Sequence, residues 1–259
     1  MASPTEKPLI LLAHGAFHRP RLYDPLKNAL AAQGYEMLAP DQPSLGAGKS
    51  GITWKADVDA LLEAVEPFFE QDRRVLIVGH SYGGLLVCSA AHGNAVQERK
   101  AAGKKGGFVG VVFLCAFSLP QGGMSLLDLL PGREWLYWQK VIELEGGGAQ
   151  LMVNEHAKDV FYNDFPSDAM VKEYVEALEP QSIEAFTTPL DFVASDTTLP
   201  KHYILCDRDA GILPSVQLLV AEQIGSKVVR VDGGHSAYAS IPGKVTDVLV
   251  EIMTQATRV

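Results

Sequence analysis

The chain has 259 residues, of which 47% are hydrophobic, and it carries a formal net charge of −9 at pH 7. This length can form one large domain or two small ones, each with a substantial core. An acidic chain lacks the excess of Lys and Arg that nucleic-acid binding requires, so we expect no nucleic-acid partner. One basic cluster (Arg99, Lys100, Lys104 and Lys105) lies in a Gly- and Ala-rich stretch and is expected to be a solvent-exposed loop.

The three cysteines, Cys88, Cys115 and Cys206, lie in or beside apolar runs and show no metal-ligand spacing. We expect buried, reduced thiols and neither a metal ion nor a cofactor. Residues 1–8 lack the apolar segment of a signal peptide, and no apolar run is long enough to span a membrane. These features predict a cytoplasmic protein with no membrane partner, and a homodimer is compatible with them.

Strand and helix patterns alternate over the first 117 residues. Continuous apolar runs predict strands at residues 9–14, 35–40, 75–78 and 108–116. The spacing of apolar residues predicts helices at residues 21–33, 54–69 and 83 to about 97. Strands in which apolar and polar residues do not alternate are typical of a parallel sheet with helices on both faces.

This alternation stops at Ser118, and no convincing strand pattern is evident before Pro200. The stretch contains several prolines and a run of three glycines at 146–148, but it also contains many aromatic residues, which a flexible linker would lack. We therefore predict an inserted set of short helices at 118–200. An insertion after the carboxyl end of a strand lies over the crevice where open α/β sheets bind ligands, so we interpret it as a lid.

The sheet pattern resumes after Pro200. Further strands are predicted at residues 202–206 and 227–231, and helices at 216–224 and 241–255. Pro242 stands at the start of the last helix, where a missing N–H is tolerated. Residues 1–117 and 201–259 are thus predicted to form one α/β core.

The motif Gly79-His80-Ser81-Tyr82-Gly83 lies between a predicted strand and a predicted helix. A sharp turn at this point raises the serine above the sheet in a strained conformation, next to the helix N-terminus. The two glycines are needed because neighbouring backbone passes close to them. Ser81 is therefore the candidate nucleophile.

A serine hydroxyl needs a base, and the base needs an acceptor that fixes its tautomer. His235 follows the last predicted strand, behind two glycines that allow its loop to project. Asp207 and Asp209 both follow the strand before it, and the residues alone do not choose between them. The chain order serine, acid, histidine is the one described for this type of turn.

Two backbone N–H groups are needed to stabilise the oxyanion of an acyl-transfer reaction. The N–H of Tyr82, directly after the nucleophile, is one candidate. The other should come from the loop after the first strand, and we assign it to Ala16, with Phe17 as the second choice. His14, Phe17 and His18 lie on the same loop and are expected to line the substrate pocket.

The chain resembles the α/β-hydrolase fold over nearly its full length. The resemblance is carried by Leu11–His18, Gly79–Gly84, Cys206–Ile212 and Gly233–His235. It is similar in particular to a small lid-bearing subgroup that includes plant methyl esterases, hydroxynitrile lyases and microbial esterases. In that subgroup a Cys-x-x-Asp-x-x-Ile segment carries the triad acid, so the resemblance selects Asp209 over Asp207. It also implies a mostly parallel sheet of about six strands.

Two departures from the subgroup restrict the expected chemistry. Its hydroxynitrile lyases have a threonine where Gly15 stands and a lysine where Ser236 stands, so this cleavage is not expected. Fold relatives that use an aspartate nucleophile, such as epoxide hydrolases, are excluded by Ser81. We expect a serine hydrolase that cleaves an ester or lactone of a small hydrophobic molecule through an acyl-enzyme.

The residues leave two other functions open. One is a carbon–carbon bond hydrolase, lyase or cyclase that uses the same triad on a secondary metabolite, because one fold and one triad host many reactions. The other is a receptor that binds a small molecule without turnover, which an intact triad disfavours.

Overall fold

The computed structural model describes residues 7–256. Its strands, numbered along the chain, are β1 (Leu9–Ala13), β2 (Met37–Leu38), β3 (Arg74–His80), β4 (Gly107–Leu114), β5 (Gln139–Glu143), β6 (Ala149–Val153), β7 (Gln181–Ser182), β8 (Lys201–Cys206) and β9 (Lys227–Val231). Six of them form a parallel sheet in the order β2-β1-β3-β4-β8-β9. This confirms the predicted parallel sheet of about six strands.

The α-helices are α1 (Asp24–Ala32), α2 (Trp54–Glu70), α3 (Gly83–Ala91), α4 (Val96–Ala101), α5 (Ala157–Phe161), α6 (Asp168–Glu176), α7 (Glu184–Thr187), α8 (Pro214–Gln223), α9 (Ala237–Ser240) and α10 (Pro242–Ala256). Short 3-10 helices lie at Pro20–Tyr23, Leu126–Leu129, Pro131–Arg133 and Ala194–Asp196. None of the helices between residues 7 and 256 is both long enough and apolar enough to cross a membrane.

The centre of the sheet is covered on both faces. Every residue of β1 is fully buried, and so is nearly all of β3 and β4. Because successive side chains of a strand point to opposite faces, this burial requires packing on both sides. The burial of these strands on both faces explains the continuous apolar runs of the sequence.

Helix α3 ends earlier than predicted. It stops at Ala91, because Gly93 adopts a φ of 71° that a helix cannot continue through, and a separate helix, α4, follows. The expectation of a solvent-exposed loop is wrong for Arg99. This residue lies in α4, is 1% exposed, donates two hydrogen bonds to Glu66 and stacks over the ring of Phe69.

The residues between β4 and β8 form the insertion, which we define as residues 118–200. It contains the expected short helices, but it also contains the antiparallel sheet β5-β6-β7. This sheet was not expected, because the sequence shows no convincing strand pattern between Ser118 and Pro200. The three glycines at 146–148 lie between β5 and β6. They form the turn of the β5–β6 hairpin, where each has a positive φ. The expected helical insertion is therefore corrected to a mixed one.

Candidate active site

Ser81 lies at the turn between β3 and α3, at the carboxyl edge of the sheet. Its φ of 52° is unusual for a residue with a side chain, and it marks the strain expected of this turn. A Cβ on Gly79 would lie 2.6 Å from the carbonyl oxygen of Gly83, and one on Gly83 would collide with the carbonyl oxygen of Ala13. The two glycines are therefore required by close backbone contacts around the serine.

Asp209 and His235 meet at the same edge, in the loops after β8 and β9. The Nδ1 atom of His235 lies 2.9 Å and 3.0 Å from the two carboxylate oxygens of Asp209. Since a carboxylate only accepts, we assign the proton of the neutral imidazole to Nδ1, which leaves the lone pair on Nε2. Asp207 instead pairs with Arg230 near the surface.

Further donors fix the carboxylate of Asp209. The N–H groups of Gly211 and Ile212 donate to one oxygen at 2.7 Å and 2.9 Å, and Gln217 of α8 donates to the other at 3.0 Å. Sequence reasoning did not find Gln217, because a glutamine in a helix carries no signal of this role. With these bonds the carboxylate has a single orientation towards His235.

Ser81 and His235 line one cavity, which encloses about 520 Å³ including its mouth. Ala16, Phe17, His18 and Tyr82 also line it. Much of the remaining wall consists of apolar side chains of the insertion, which include Leu126, Leu130, Trp135, Trp138, Phe161 and Phe186. Among the described residues that line the cavity there is no Asp, Glu, Lys or Arg. The cavity therefore suits an uncharged, hydrophobic molecule.

The N–H groups of Ala16 and Phe17, in the loop after β1, differ in their hydrogen bonding. The N–H of Phe17 donates to Oε1 of Gln181 at 3.1 Å. Within residues 7–256, the N–H groups of Ala16 and Tyr82 have no acceptor. Both of these residues line the cavity beside Ser81. Gln181 lies on β7 of the insertion, and nothing in the sequence indicated that it would reach this loop.

Three further histidines are buried near the site, and burial keeps them neutral. It lowers the pKa of His14 to about 4, that of His18 to about 3, and that of His80 well below its ordinary value. The structure brings His18 to the cavity wall but places His14 outside the lining residues. His18 donates from Nδ1 to the carbonyl oxygen of Ala16 and accepts from the hydroxyl of Tyr162. These bonds occupy both of its nitrogens.

His80 connects two neighbouring loops through hydrogen bonds of both its ring nitrogens. Its Nε2–H donates to the carbonyl oxygen of His235 at 2.9 Å, and its Nδ1 accepts from the hydroxyl of Tyr23 at 2.7 Å. The oxygen of Tyr23 in turn accepts from the N–H of Gly15 at 2.8 Å. This chain of bonds links the loop after β1 to the loop that carries His235.

A metal ion fits this cluster poorly. His80, Cys115 and His235 have potential ligand atoms within 4.8 Å of one another. However, Cys115 and His80 both donate to the carbonyl oxygen of His235, and Nδ1 of His235 is bonded to Asp209. These bonds occupy most of the atoms that a metal ion would need. The cluster is better described as a hydrogen-bonded support of the His235 loop.

Comparisons with known proteins bear on the family and the fold of the chain. A family model described as Alpha/beta hydrolase family matches residues 10–248. The Alpha/beta hydrolase nvfD of Aspergillus novofumigatus is 30% identical, over 92% of this chain and 94% of its own length. A pyrethroid hydrolase of Sphingobium wenxiniae is 25% identical, over 93% of this chain and 86% of its own length. The crystal structure of polyneuridine aldehyde esterase has a TM-score of 0.76 at 19% identity, and the match covers 95% of this chain and 99% of that one. These likenesses confirm the resemblance that the motifs indicate.

Proposed function

Because the chain belongs to the alpha/beta hydrolase family, we propose that it is a serine hydrolase that cleaves an ester or lactone of a small, uncharged, hydrophobic molecule. The observation that carries this proposal is the pairing of His235 with Asp209 in the loops beside Ser81, at the wall of an apolar cavity. The relatives named as a pyrethroid hydrolase and an esterase support ester cleavage.

The proposed reaction assigns one role to each group. Ser81 Oγ attacks the carbonyl carbon of the substrate while Nε2 of His235 takes its proton. Asp209 holds the imidazole in this tautomer and stabilises the imidazolium. His235 then passes the proton to the leaving alcohol, and water, activated by the same nitrogen, releases the acid from Ser81.

The backbone N–H groups of Ala16 and Tyr82 are proposed to hold the oxyanion. Their support is that neither has an acceptor within residues 7–256, whereas the N–H of Phe17 is already bonded to Gln181. Removal of one such donor costs other enzymes about 3–4 kcal/mol of transition-state stabilisation.

The insertion is proposed to act as the lid of this cavity. Its aromatic and aliphatic side chains form much of the wall, and Phe161 stacks on the ring of His235 with 5.3 Å between the ring centroids. A wall of apolar side chains strengthens the hydrogen bonds to the oxyanion and excludes competing water.

The three cysteines of the chain are buried and unpaired, which supports the prediction of a reducing, cytoplasmic location.

The first test is covalent labelling of Ser81. We expect one adduct per chain when the protein is treated with a fluorophosphonate and its intact mass is measured. The adduct should be absent in Ser81→Ala and retained in Ser89→Ala, a control in the same helix region. A folded wild-type protein that takes no label, or a label that persists in Ser81→Ala, would contradict the proposal.

The second test identifies the reaction. Neutral aryl esters should yield an acid and an alcohol in equal amounts, whereas matched esters that carry a free carboxylate should react slowly, because the wall offers no cation. Products of carbon–carbon cleavage, elimination or cyclisation would instead support the alternative use of the triad. Size-exclusion chromatography of the same samples tests whether the chain forms a homodimer.

A further inference from the structure

Gln181 connects the insertion to the loop that follows β1. It is fully buried on β7 and uses both ends of its side-chain amide. Its Oε1 accepts from the N–H of Phe17 at 3.1 Å, and its Nε2 donates to Oγ of Ser44 at 2.8 Å. A neighbouring residue adds a third link, because the N–H of Glu179 donates to the carbonyl oxygen of Phe17 at 2.9 Å. The insertion therefore holds the backbone of Phe17 on both sides.

The same network continues to the residue after the nucleophile. The hydroxyl of Ser44 donates to Asp57 at 2.7 Å, and its N–H donates to the other carboxylate oxygen at 2.9 Å. The hydroxyl of Tyr82 donates to Asp57 at 2.8 Å. The side chains of Gln181, Ser44, Asp57 and Tyr82 are all buried, so the bonds between them are formed where water cannot replace them. The network thus joins the two loops that carry the N–H groups of Ala16 and Tyr82.

The backbone of Phe17 needs this support. Its φ of 67° is unfavourable for a residue with a large side chain. Its N–H is buried, and a buried donor without an acceptor is costly. Without Gln181, the strained loop would relax by turning this N–H towards another acceptor. Because this N–H and the carbonyl of Ala16 belong to one planar peptide unit, the rotation would also turn that carbonyl and shift Ala16, whose own N–H lies on the other side of its Cα.

We propose that Gln181 is a positioning residue for the oxyanion hole: it binds the N–H of Phe17 so that the N–H of Ala16 remains directed at the substrate oxygen. This inference rests on the proposed function. It implies that Gln181 contributes in the transition state, where the oxygen becomes charged, more than in the ground state.

The chain offers a matched control in Gln150. This glutamine is also buried in the small sheet of the insertion and also uses both ends of its amide. Its partners, however, are the N–H of Gly48 and the carbonyl oxygen of Gly46, in the loop that follows Ser44 and not in the loop after β1. Gln150→Met therefore removes comparable bonds without touching the oxyanion loop.

The kinetic test compares Gln181→Met with Gln150→Met on a neutral aryl ester. We expect Gln181→Met to lower kcat by about 10- to 100-fold, less than the about 100- to 1,000-fold loss caused by removal of an oxyanion donor itself. KM should stay within about twofold, and binding of an aryl trifluoromethyl ketone, which forms a tetrahedral adduct with serine, should weaken in parallel with kcat. Gln150→Met should leave both quantities unchanged. Equal losses in the two variants, or a rise in KM alone, would overturn the proposal.

A second pair of variants and a hydrogen-exchange measurement complete the test. If Gln181→Met does not fold, Gln181→Asn is measured against Gln150→Asn, because asparagine stays polar but is too short to span from Phe17 to Ser44. Hydrogen exchange at the N–H of Phe17, followed in protein labelled with 15N-phenylalanine, needs no substrate. Faster exchange in the Gln181 variants is expected, and unchanged protection would overturn the link. An inactive wild type with intact protection at Phe17 would instead contradict the proposed function.

Discussion

The core and the insertion contribute different kinds of groups to the site. The core carries Ser81, Asp209 and His235, each in the loop directly after a parallel strand. The insertion carries the apolar wall and several buried polar side chains, among them Gln181 and Asp164, which bond to the loops of the core. The comparison teaches that the sheet brings the reactive groups together, whereas the insertion holds the loops that carry them.

Gln181 and Asp164 each bind the backbone of a loop that carries part of the candidate site. Gln181 binds the loop after β1, and Asp164 binds the loop after β9, where its Oδ2 accepts from the N–H of Gly234 at 2.6 Å and from the hydroxyl of Ser240 at 2.8 Å. Gly234 directly precedes His235, and a Cβ there would lie 2.6 Å from the side chain of Asn163. The insertion therefore packs against the loop backbone beside the proposed base.

The largest expected effect comes from the core. In Asp209→Asn, the amide N–H₂ would face His235 together with either Gln217 or the N–H groups of Gly211 and Ile212. All of these groups donate to the carboxylate, so the imidazole should adopt the wrong tautomer. We expect kcat/KM to fall by about 10³- to 10⁴-fold, as when a triad aspartate is replaced by asparagine in other enzymes. Asp207→Asn is the matched control, because Asp207 pairs with Arg230 instead, and its kcat/KM should stay near that of the wild type. Similar losses in both variants would contradict the assignment of Asp209.

A smaller effect is expected from the insertion. Asp164→Ala removes the acceptor of the Gly234 N–H, which should lower the free energy of unfolding by about 2 kcal/mol and Tm by roughly 4–8 °C. The rate should fall by less than in Asp209→Asn, because the triad itself is intact. Asp159→Ala, at a largely exposed position of α5, should change neither quantity. If Asp164→Ala were as stable and as active as Asp159→Ala, the insertion would line the cavity without holding the loop that carries His235.

The same contrast explains how much could be predicted from the sequence. Core strands were predictable because burial on both faces selects continuous apolar runs, as in β1 and β4. The turn at Ser81 was predictable because a short motif of adjacent residues marks it, although the contact that requires Gly83 comes from Ala13 of β1. The candidates Ser81, Asp209 and His235 follow from their places after strands, and the choice of Asp209 over Asp207 came from the family resemblance.

The rest depends on contacts between distant segments. Phe17 and Gln181 lie far apart in the sequence, and a lone glutamine gives no sign of the loop that it will bind. Strand β5 escaped prediction because its residues are only partly buried or exposed, so no apolar run marks it. Arg99 was misassigned because a charged residue is usually exposed, and its burial depends on Glu66 and Phe69 of a different helix.

The next smaller expected effect is on the pH dependence of the free energy of unfolding, and it concerns His18 in the loop after β1. Burial lowers the pKa of His18 from 6.5 to about 3, so between these values the unfolded chain binds a proton that the folded chain does not. Stability is therefore complete above about pH 6.5 and falls as the pH drops. Replacement of His18 by Asn, which keeps a donor near the carbonyl of Ala16, should reduce the slope of unfolding free energy by up to about 1.4 kcal/mol per pH unit.

Urea unfolding between pH 7 and pH 5 measures this slope. His156→Asn is the control, because His156 is exposed in the insertion, and its slope should equal that of the wild type. An unchanged slope in His18→Asn would mean that His18 accepts a proton in the folded protein. It would then add a charge at the cavity wall.

The smallest expected effect lies in the core but away from the site. Arg99 forms two hydrogen bonds with Glu66, yet the Glu66 side chain is 44% exposed, so water competes for the pair. Glu66→Gln should therefore lower the free energy of unfolding by less than about 1 kcal/mol and leave kcat unchanged. The hydrogen bonds from Arg99 hold the pKa of Glu66 below its ordinary value of 4.5. The stabilisation is thus present above about pH 4.5 and is lost as the pH falls, so the wild type and the variant should converge in acid. A change in kcat would show that core positions remote from the sheet's carboxyl edge also set the geometry of the site, and the division of roles between core and insertion would not hold.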